Sequence, residues 1–325
     1  MIGTLRGPRQ VIFGPGTLSV VPRLCRENGS RPLIVTDRVM LAQPQVASAV
    51  AAVTDAVPGA AVFADTSPEV PLADVAGARE AASAIGADSF LAVGGGSVID
   101  MAKIISVLHR HGGEPADYYG ESRVPGPALP LVAVPTTAGT GSEVSPVSVL
   151  TDPGRRMKVG VSSAHLIPDS AVVDPGLTLT CPARVTAHSG IDALCHAVES
   201  YLARARPHAA ADLVSSVFLG RNAVTDDLAL RAVRVIAPAC PVRSPTARTR
   251  QRASRWPLAR CARGWPSRMP GPAARMRCST PSAPPPGRRT ASASGCCYRT
   301  RWPPRGPPPV TERRPGSPCW PAARA

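Results

Sequence analysis

The stretch SFLAVGGGSVIDMAK, residues 89–103, decides the fold of this chain. Residues 89–93 form an apolar run typical of a buried strand, and residues 98–109 carry apolar side chains at helical spacing. The glycine-rich turn between them, residues 94–97, would let the backbone approach a phosphate at the N-terminus of a helix. A plain glycine turn is about equally compatible. Asp100, in the first helical turn, is either a partner of the helix dipole or a ligand contact.

The alternation of strands and helices extends to both sides of this stretch. Further strand-like apolar runs lie at residues 32–36, 60–63 and 129–134, and helical stretches lie at residues 37–53 and 75–85. Strands that alternate with helices are typical of parallel sheets. The sequence therefore predicts a Rossmann-like α/β domain.

The chain after this domain predicts a different organisation. Residues 183–203 and 226–236 have apolar side chains at three- and four-residue spacing, which indicates helices. After Ala237 this periodicity is lost, and prolines occur too often for helices. We expect an α/β domain over residues 1–180, the start of an all-helical domain over 181–238, and a disordered tail over 239–325.

A second candidate ligand site follows the strand-like run at residues 129–134. Its sequence, PTTAGTGSE at residues 135–143, offers hydroxyl groups that could donate to a ribose, a phosphate or a carboxamide. A solvated turn explains the loop about as well. Asp37, at the end of an earlier strand, could accept hydrogen bonds from ribose hydroxyls or cap the helix that follows.

The clearest candidate metal site is an acidic residue and a histidine at helical spacing. Asp192 and His196 are four residues apart on a predicted helix, so both side chains can face one ion. His188 lies one turn earlier on the same face. An Asp–His pair that stabilises the helix is the alternative, and the spacing taken alone favours that alternative.

Three motifs occur in the order and spacing of the iron-containing alcohol dehydrogenase family. They are GGGSVIDMAK at residues 94–103, VPTTAGTGSE at 134–143 and SGIDALCHAVESYL at 189–202, and the similarity extends over about residues 7–236. The chain therefore resembles this family. The resemblance implies a dehydroquinate synthase-like fold with NAD in a cleft between an α/β and a helical domain. It also implies a divalent metal, Fe²⁺ with Zn²⁺ as the alternative, held by one Asp and three His.

Position by position, the resemblance implies site residues. Asp192 and His196 resemble two of the metal ligands, and Asp37 matches the acid that would repel a 2′-phosphate and favour NAD over NADP. The implied cofactor contacts are Gly95, Gly96, Ser97, Thr136, Thr137, Thr140 and Lys158, to which the residue patterns add Asp100 and Ser142 as candidates. No residue is assigned a catalytic role.

The implied activity is NAD-linked interconversion of an alcohol or hydroxyacid and its carbonyl by hydride transfer. The metal would act as a Lewis acid on the alcohol oxygen, and the cleft would hold the nicotinamide against the substrate carbon. Hydroxyacid–oxoacid transhydrogenases, maleylacetate reductases and glycerol dehydrogenases remain alternatives on the same fold. The segment at residues 218–233, set after an insertion at 205–217, is similar to the transhydrogenase branch.

The expected setting is the cytoplasm, because no run of 18 or more apolar residues and no signal-peptide pattern occurs. We expect a small-molecule substrate and a homodimer, and neither a membrane nor a nucleic-acid partner.

The positive charge is confined to residues 241–325. The formal net charge is +15, but this segment holds 18 Arg, no Lys and a single acid, Glu312, so the rest of the chain is slightly acidic. It also holds 18 of the 38 prolines, all four Trp and none of the six His. Such a composition is typical of a GC-rich gene read out of frame. The rival, non-enzymatic hypothesis is a basic tail that binds nucleic acid, for which salt-dependent binding lost on deleting the tail would be the sign.

The histidine motifs that the family places after residue 236 are absent from this sequence. The codons that could encode residues 264–300 nevertheless permit these motifs in a shifted reading frame. When the last base of each codon is joined to the first two bases of the following codon, residues 264–271 permit MAFSNAG, 275–281 permit HALFHP and 295–300 permit LLLPH. A further His is permitted across Arg289 and Thr290. We hypothesise a one-base frameshift near residues 237–241. The literal chain would then keep two metal ligands and have little or no dehydrogenase activity, since catalytic sites usually keep three.

Overall fold

Parallel strands form the central sheet of this protein, for which the computed structural model describes residues 3–205 and 207–239. The strands are β1 (Gln10–Phe13), β2 (Pro32–Val35), β3 (Ala61–Phe63), β4 (Ser89–Gly94), β5 (Gly120–Glu121), β6 (Leu131–Pro135), β7 (Val147–Asp152), β8 (Met157–Ser162) and β9 (Ser170–Val173). Six of them make one sheet in the order β1-β9-β6-β4-β2-β3, and every neighbouring pair is parallel. The predicted α/β class is confirmed.

Helices cover both faces of this sheet. They are α1 (Val21–Asn28), α2 (Arg38–Leu41), α3 (Pro44–Ala56), α4 (Leu72–Ile85) and α5 (Gly96–His111). Successive residues of β2 alternate between the two faces, because Leu33 packs in the cluster that includes α4 and α5, whereas Ile34 packs in the cluster that includes α1 and α3. Both side chains are fully buried. Burial on both faces explains why these strands are continuous apolar runs in the sequence.

The strands predicted at residues 32–36, 60–63, 89–93 and 129–134 are all present, with ends that differ by at most two residues. Three parts of the strand structure lie outside those predictions: β1, β9 and a second, three-stranded sheet in the order β5-β8-β7. In that sheet β7 and β8 form an antiparallel hairpin, in which Thr151 faces Lys158. The hairpin packs beside α5 and brings Lys158 toward the end of the main sheet where α5 begins.

The helical part begins with α6 (Ala183–Leu202), followed by α7 (Asp212–Ser215) and α8 (Ala223–Ile236). Helix α8 starts three residues before the predicted helix because Asn222 caps it, its Oδ1 accepting from the backbone N–H groups of Val224 and Thr225. Helices α6 and α8 pack through Ala193, Ala197, Ala232 and Ile236. The division at residue 180 stays a prediction, and the predicted tail lies, from residue 240 onward, outside the residues that the structure describes.

Within residues 3–205 and 207–239, no helix is both long and apolar enough to cross a membrane.

Candidate active site

The carboxyl ends of three neighbouring parallel strands bring the predicted cofactor residues to one edge of the sheet. Strands β2, β4 and β6 are adjacent, and Asp37, Gly95 and Thr136 follow them directly or within two residues. Backbone and side-chain hydrogen bonds tie these ends together: Thr136 N donates to Gly94 O at 2.9 Å, and Thr36 Oγ1 donates to Val93 O at 2.8 Å. Ligands of open α/β sheets bind at this edge.

The turn between β4 and α5 requires glycine for steric reasons. A Cβ atom at Gly94 would lie 2.5 Å from Val98 Cγ2, and one at Gly96 would lie 2.5 Å from Thr140 Cγ2. The 16-residue helix α5 begins at Gly96, so its first N–H groups and the positive end of its dipole face the sheet edge. This geometry suits an anionic ligand such as a pyrophosphate.

The loop after β6 contributes hydroxyl groups beside the glycine turn. Thr136 Oγ1 is buried and has no hydrogen-bond partner within the described part of the chain. Thr137 lies 3.5 Å from the Cβ position of Gly95, and Thr140 Oγ1 accepts from Ser142 N at 3.3 Å. Gly141, with φ at +66°, makes the turn between Thr140 and Ser142. A buried hydroxyl without a partner is unusual and marks a place where a ligand could bind.

Asp37 caps helix α2. Its Oδ1 accepts from the backbone N–H of Met40 at 2.8 Å, and its neighbour Arg38 forms an exposed ion pair with Asp65 at 2.6 Å. The capping role considered for Asp37 is therefore present. Its proposed contact with the ribose is an additional role that stays a prediction.

Two of the candidate cofactor residues bind each other. Ser142 Oγ donates to Asp100 Oδ1, and the backbone N–H of Val149 donates to Asp100 Oδ2 at 3.0 Å. Burial raises the pKa of Asp100, an effect that the nearby ammonium of Lys103 and these two hydrogen bonds oppose. Asp100 and Ser142 thus connect α5 with the loop and with β7, and a direct contact between either residue and a cofactor stays a prediction.

Lys158 and Ser97 are linked through Glu69, which sequence reasoning missed. Lys158 Nζ lies 3.0 Å from Glu69 Oε1, and the backbone N–H of Glu69 donates to Ser97 Oγ at 3.0 Å. Glu69 and Val70 both have positive φ angles, +69° and +51°, which residues other than glycine rarely adopt. The prolines on either side, Pro68 and Pro71, were the only sequence signal of an unusual backbone here.

The candidate metal ligands lie together on α6. His196 Nδ1 is 3.3 Å from Asp192 Oδ1 and 3.0 Å from the backbone oxygen of Asp192. If Nδ1 carries the proton and donates to that oxygen, Nε2 carries the lone pair that a metal would need. Both side chains are roughly half exposed, and His188 is exposed one turn earlier on the same helix.

The described ranges contain no group of three or more His, Cys, Asp or Glu side chains placed to hold a metal. The structure therefore brings together two of the four ligands that the family resemblance implies. The remaining two were predicted only in a shifted reading frame of residues 275–290, which lie outside the described ranges.

The loop at residues 135–143, called the hydroxyl-rich loop below, contacts helix α6 at Gly139 and Ser189. A Cβ atom at Gly139 would lie 2.6 Å from Ser189 Cβ and 2.9 Å from Ser189 Cα. Ser189 is on α6, three residues before Asp192. The hydroxyl-rich loop therefore contacts the helix that carries the candidate metal ligands.

Comparison with known proteins agrees with this geometry. The family model described as "Iron-containing alcohol dehydrogenase" matches residues 8–175, which is more than half of the chain. The chain belongs to this family. The match includes the glycine turn and the hydroxyl-rich loop, and it ends before α6.

Relatives and solved structures within this family extend the likeness into the helical part. A 4-hydroxybutyrate dehydrogenase from Cupriavidus necator is 43% identical over 198 residues, covering 58% of this chain and 50% of the relative. An NAD-dependent methanol dehydrogenase from Bacillus methanolicus is 32% identical over 230 residues, covering 70% and 56%. The chain thus spans about half the length of these curated relatives.

Among solved structures, a 1,3-propanediol oxidoreductase superposes with a TM-score of 0.71 at 30% identity, covering 82% of this chain and 66% of that one. A sulfoacetaldehyde reductase from Bifidobacterium kashiwanohense, solved in complex with NAD⁺, gives a TM-score of 0.69 at 26% identity, with 82% and 66% coverage.

Proposed function

We propose that this protein is the cofactor-binding part of an NAD-linked, metal-dependent oxidoreductase that interconverts an alcohol or hydroxyacid and its carbonyl. The observation that carries the proposal is the meeting of two sites. Asp37, the glycine turn and Thr136 share one sheet edge, and the contact of Gly139 with Ser189 joins this edge to the helix of Asp192 and His196.

The residues at the sheet edge fit a dinucleotide. Gly94, Gly95 and Gly96 place no side chain beside the N-terminus of α5, and the orphaned Oγ1 of Thr136 offers a hydrogen bond nearby. Lys158 adds a half-exposed positive charge, and Asp37 a negative one that disfavours a 2′-phosphate. These groups would bind and orient NAD, with Gly95, Gly96, Ser97, Thr137 and Thr140 nearest the phosphates and nicotinamide.

When bound, the nicotinamide accepts or returns a hydride and the metal polarises the alcohol oxygen. The contribution of the chain is to hold and orient these groups. Asp192 and His196 supply two ligands on one face of α6, and the Gly139 contact fixes that face relative to the loop. Two ligands are too few for a stable catalytic site, so we propose that the literal chain binds Fe²⁺ or Zn²⁺ poorly and turns over slowly.

The substrate proposal is a small alcohol or hydroxyacid. The relatives named above act, by their names, on 4-hydroxybutyrate and methanol. A hydroxyacid–oxoacid transhydrogenase from Caenorhabditis briggsae is 42% identical over 161 residues, covering 46% of this chain and 34% of the relative. That likeness and the similarity of residues 218–233 to the transhydrogenase branch favour transhydrogenation as the second candidate. A substrate screen that also includes maleylacetate and glycerol would separate the branches.

A titration of NADH and NADPH fluorescence tests the cofactor half of the proposal without requiring turnover. We expect saturable binding of NADH that is tighter than binding of NADPH. No response to NADH up to about 1 mM, the upper end of the usual range for such ligands, would overturn the proposal.

We further propose that the protein acts in the cytoplasm and as a homodimer. Cys25 and Cys181 form no disulfide within the described residues, which suits a reducing compartment. Cell fractionation tests the location, and light scattering of the purified protein tests the oligomer.

A further inference from the structure

A lysine on α5 is completely buried beneath the cofactor edge. Lys103 is 0% exposed and is the last residue of the motif GGGSVIDMAK. The proposed cofactor site gives this lysine no role. Lysine is almost never fully buried unless its ammonium is paired and hydrogen-bonded. Its environment therefore has to supply those partners.

Four oxygen atoms surround the Lys103 ammonium. Nζ lies 3.1 Å from Ser142 Oγ, 3.1 Å from Ser145 Oγ, 2.8 Å from Ser145 O and 2.8 Å from Val147 O. The carboxylates of Asp100 and Glu143 face the same ammonium and stabilise its charge. Glu143 is itself 0% exposed. The cluster is a buried set of charges contributed by α5 and by the last residue of the hydroxyl-rich loop.

These contacts hold the C-terminal end of the hydroxyl-rich loop, and a backbone hydrogen bond holds its N-terminal end. At its start, Thr136 N donates to the backbone oxygen of Gly94 at 2.9 Å. At its end, Ser142 and Ser145 bind Lys103, which lies two turns into the helix that the glycine turn opens. The ammonium thus links the two segments of the proposed dinucleotide site. One is α5, which begins at the glycine turn, and the other is the loop that contains Thr136 and Thr140.

Stability alone is a weak reason for such a cluster. Buried ion pairs can often be replaced by apolar side chains of similar volume at little cost, because desolvation offsets most of the attraction between the charges. An apolar side chain cannot replace the directional hydrogen bonds that one ammonium makes to Ser142, to Ser145 and to the first carbonyl of β7.

We propose that Lys103 is a positioning residue that holds the hydroxyl-rich loop against α5 and thereby sets the affinity of the site for its dinucleotide. This inference rests on the proposed cofactor function. Lys103 does not touch the cofactor, because its ammonium lies under the loop and is enclosed by protein oxygens.

The protonation of Lys103 gives the proposal a distinct signature. Burial lowers the pKa of Lys103 to about 8, an effect that Asp100 and Glu143 oppose. The ammonium would therefore lose its proton just above neutral pH, and the loop would lose part of its anchorage. We expect the affinity of the wild-type protein for NADH to fall as the pH rises through about 8, more steeply than in a variant without this amine.

The test compares Lys103→Met with Leu108→Ala, a cavity-forming change at a buried residue five positions further along the same helix. Dissociation constants for NADH are measured between pH 6.5 and 9.5, together with hydrogen exchange of the backbone amides of residues 140–147. We expect about tenfold weaker NADH binding in Lys103→Met at pH 7, a flat pH profile and faster exchange confined to these amides. Leu108→Ala should keep the wild-type affinity and pH profile.

Three outcomes decide the matter. If the wild type binds NADH and Lys103→Met binds it equally well with unchanged loop exchange, Lys103 is not a positioning residue. If the wild type does not bind NADH, the proposed function fails, and the exchange experiment still tests whether Lys103 holds the loop. Should Lys103→Met not fold, Ser145→Ala removes one hydroxyl that binds the ammonium and keeps the charges. It should weaken NADH binding severalfold, and a wild-type affinity with wild-type loop exchange would refute the proposal.

Discussion

Gly139 and Ser189 approach so closely that a Cβ atom on the glycine would lie 2.6 Å from the Cβ of the serine. This contact is where the hydroxyl-rich loop meets the helix of Asp192 and His196. The spacing between the proposed cofactor site and the proposed metal site therefore depends on residue 139 being a glycine.

Gly139→Ala should therefore push the loop and α6 apart. We expect a loss of about 1–3 kcal/mol in the free energy of unfolding, the usual cost of overpacking, together with weaker NADH binding. Urea unfolding and NADH titration measure the two effects. The matched control is Gly160→Ala, because a Cβ atom at Gly160 on β8 meets nothing within 4 Å. Equal behaviour of the two variants would show that the contact has no role.

Asp37 should control the choice between NAD and NADP through its charge. Asp37→Asn keeps a side-chain oxygen that can cap α2 but removes the charge that opposes a 2′-phosphate. We expect its preference for NADH over NADPH to fall by about tenfold, or about 1.4 kcal/mol.

Asp37→Ala removes the cap as well and should add a destabilisation of about 1 kcal/mol. Fluorescence titration with both cofactors and thermal unfolding separate the two roles. An unchanged cofactor preference in both variants would contradict the assignment of Asp37.

Metal binding should depend on the reading frame of the gene. The described part of the chain offers Asp192 and His196 but no set of three ligands, so we expect little iron to copurify with the literal chain. A gene with one base restored near codons 237–241 should yield a protein that retains iron and oxidises small alcohols with NAD. His196→Ala should then abolish iron retention in the restored protein and change little in the literal one.

The DNA sequence around this junction provides the first check. An intact alternative frame downstream supports the frameshift, and a gene without that frame rules it out. Elemental analysis of both purified proteins provides the second check, since equal iron content would contradict the prediction whatever the gene shows.

The buried Lys103 should also leave a mark on stability at alkaline pH. Its pKa, about 8 in the folded protein against an ordinary value of 10.5, means that the unfolded chain binds more protons between these two values. The sign follows: the burial of Lys103 destabilises the protein at neutral pH, and this cost is lifted as the pH rises from about 8 to 10.5. The free energy of unfolding should thus rise across this window relative to that of Lys103→Met.

Urea unfolding of both proteins at several pH values measures this difference. The comparison with Lys103→Met removes the contributions of other alkaline groups, such as Tyr119, whose pKa burial raises. A constant difference between pH 7 and 10.5 would show that Lys103 has an ordinary pKa.

The fold of the α/β part could be predicted largely from local patterns. Buried parallel strands such as β2 and β4 are continuous apolar runs, and the glycine turn marks the start of α5, so their positions follow from short-range sequence. Short or exposed strands escaped prediction, because β1 has four residues and no buried side chain, and β7 alternates in a pattern too brief to stand out.

The sequence by itself determined the family, through three motifs with specific residues at specific spacings, and it also located the change in composition after residue 240. Only the tertiary structure decided which residues Glu69, Lys103 and Gly139 contact. Glu69 reaches Lys158 across 89 positions of the sequence, Lys103 reaches Val147 across 44, and Gly139 meets Ser189 on another helix. Hydrogen bonds and steric contacts act over a few ångströms in space, so the pairing of residues so far apart along the chain depends on how the strands and helices pack.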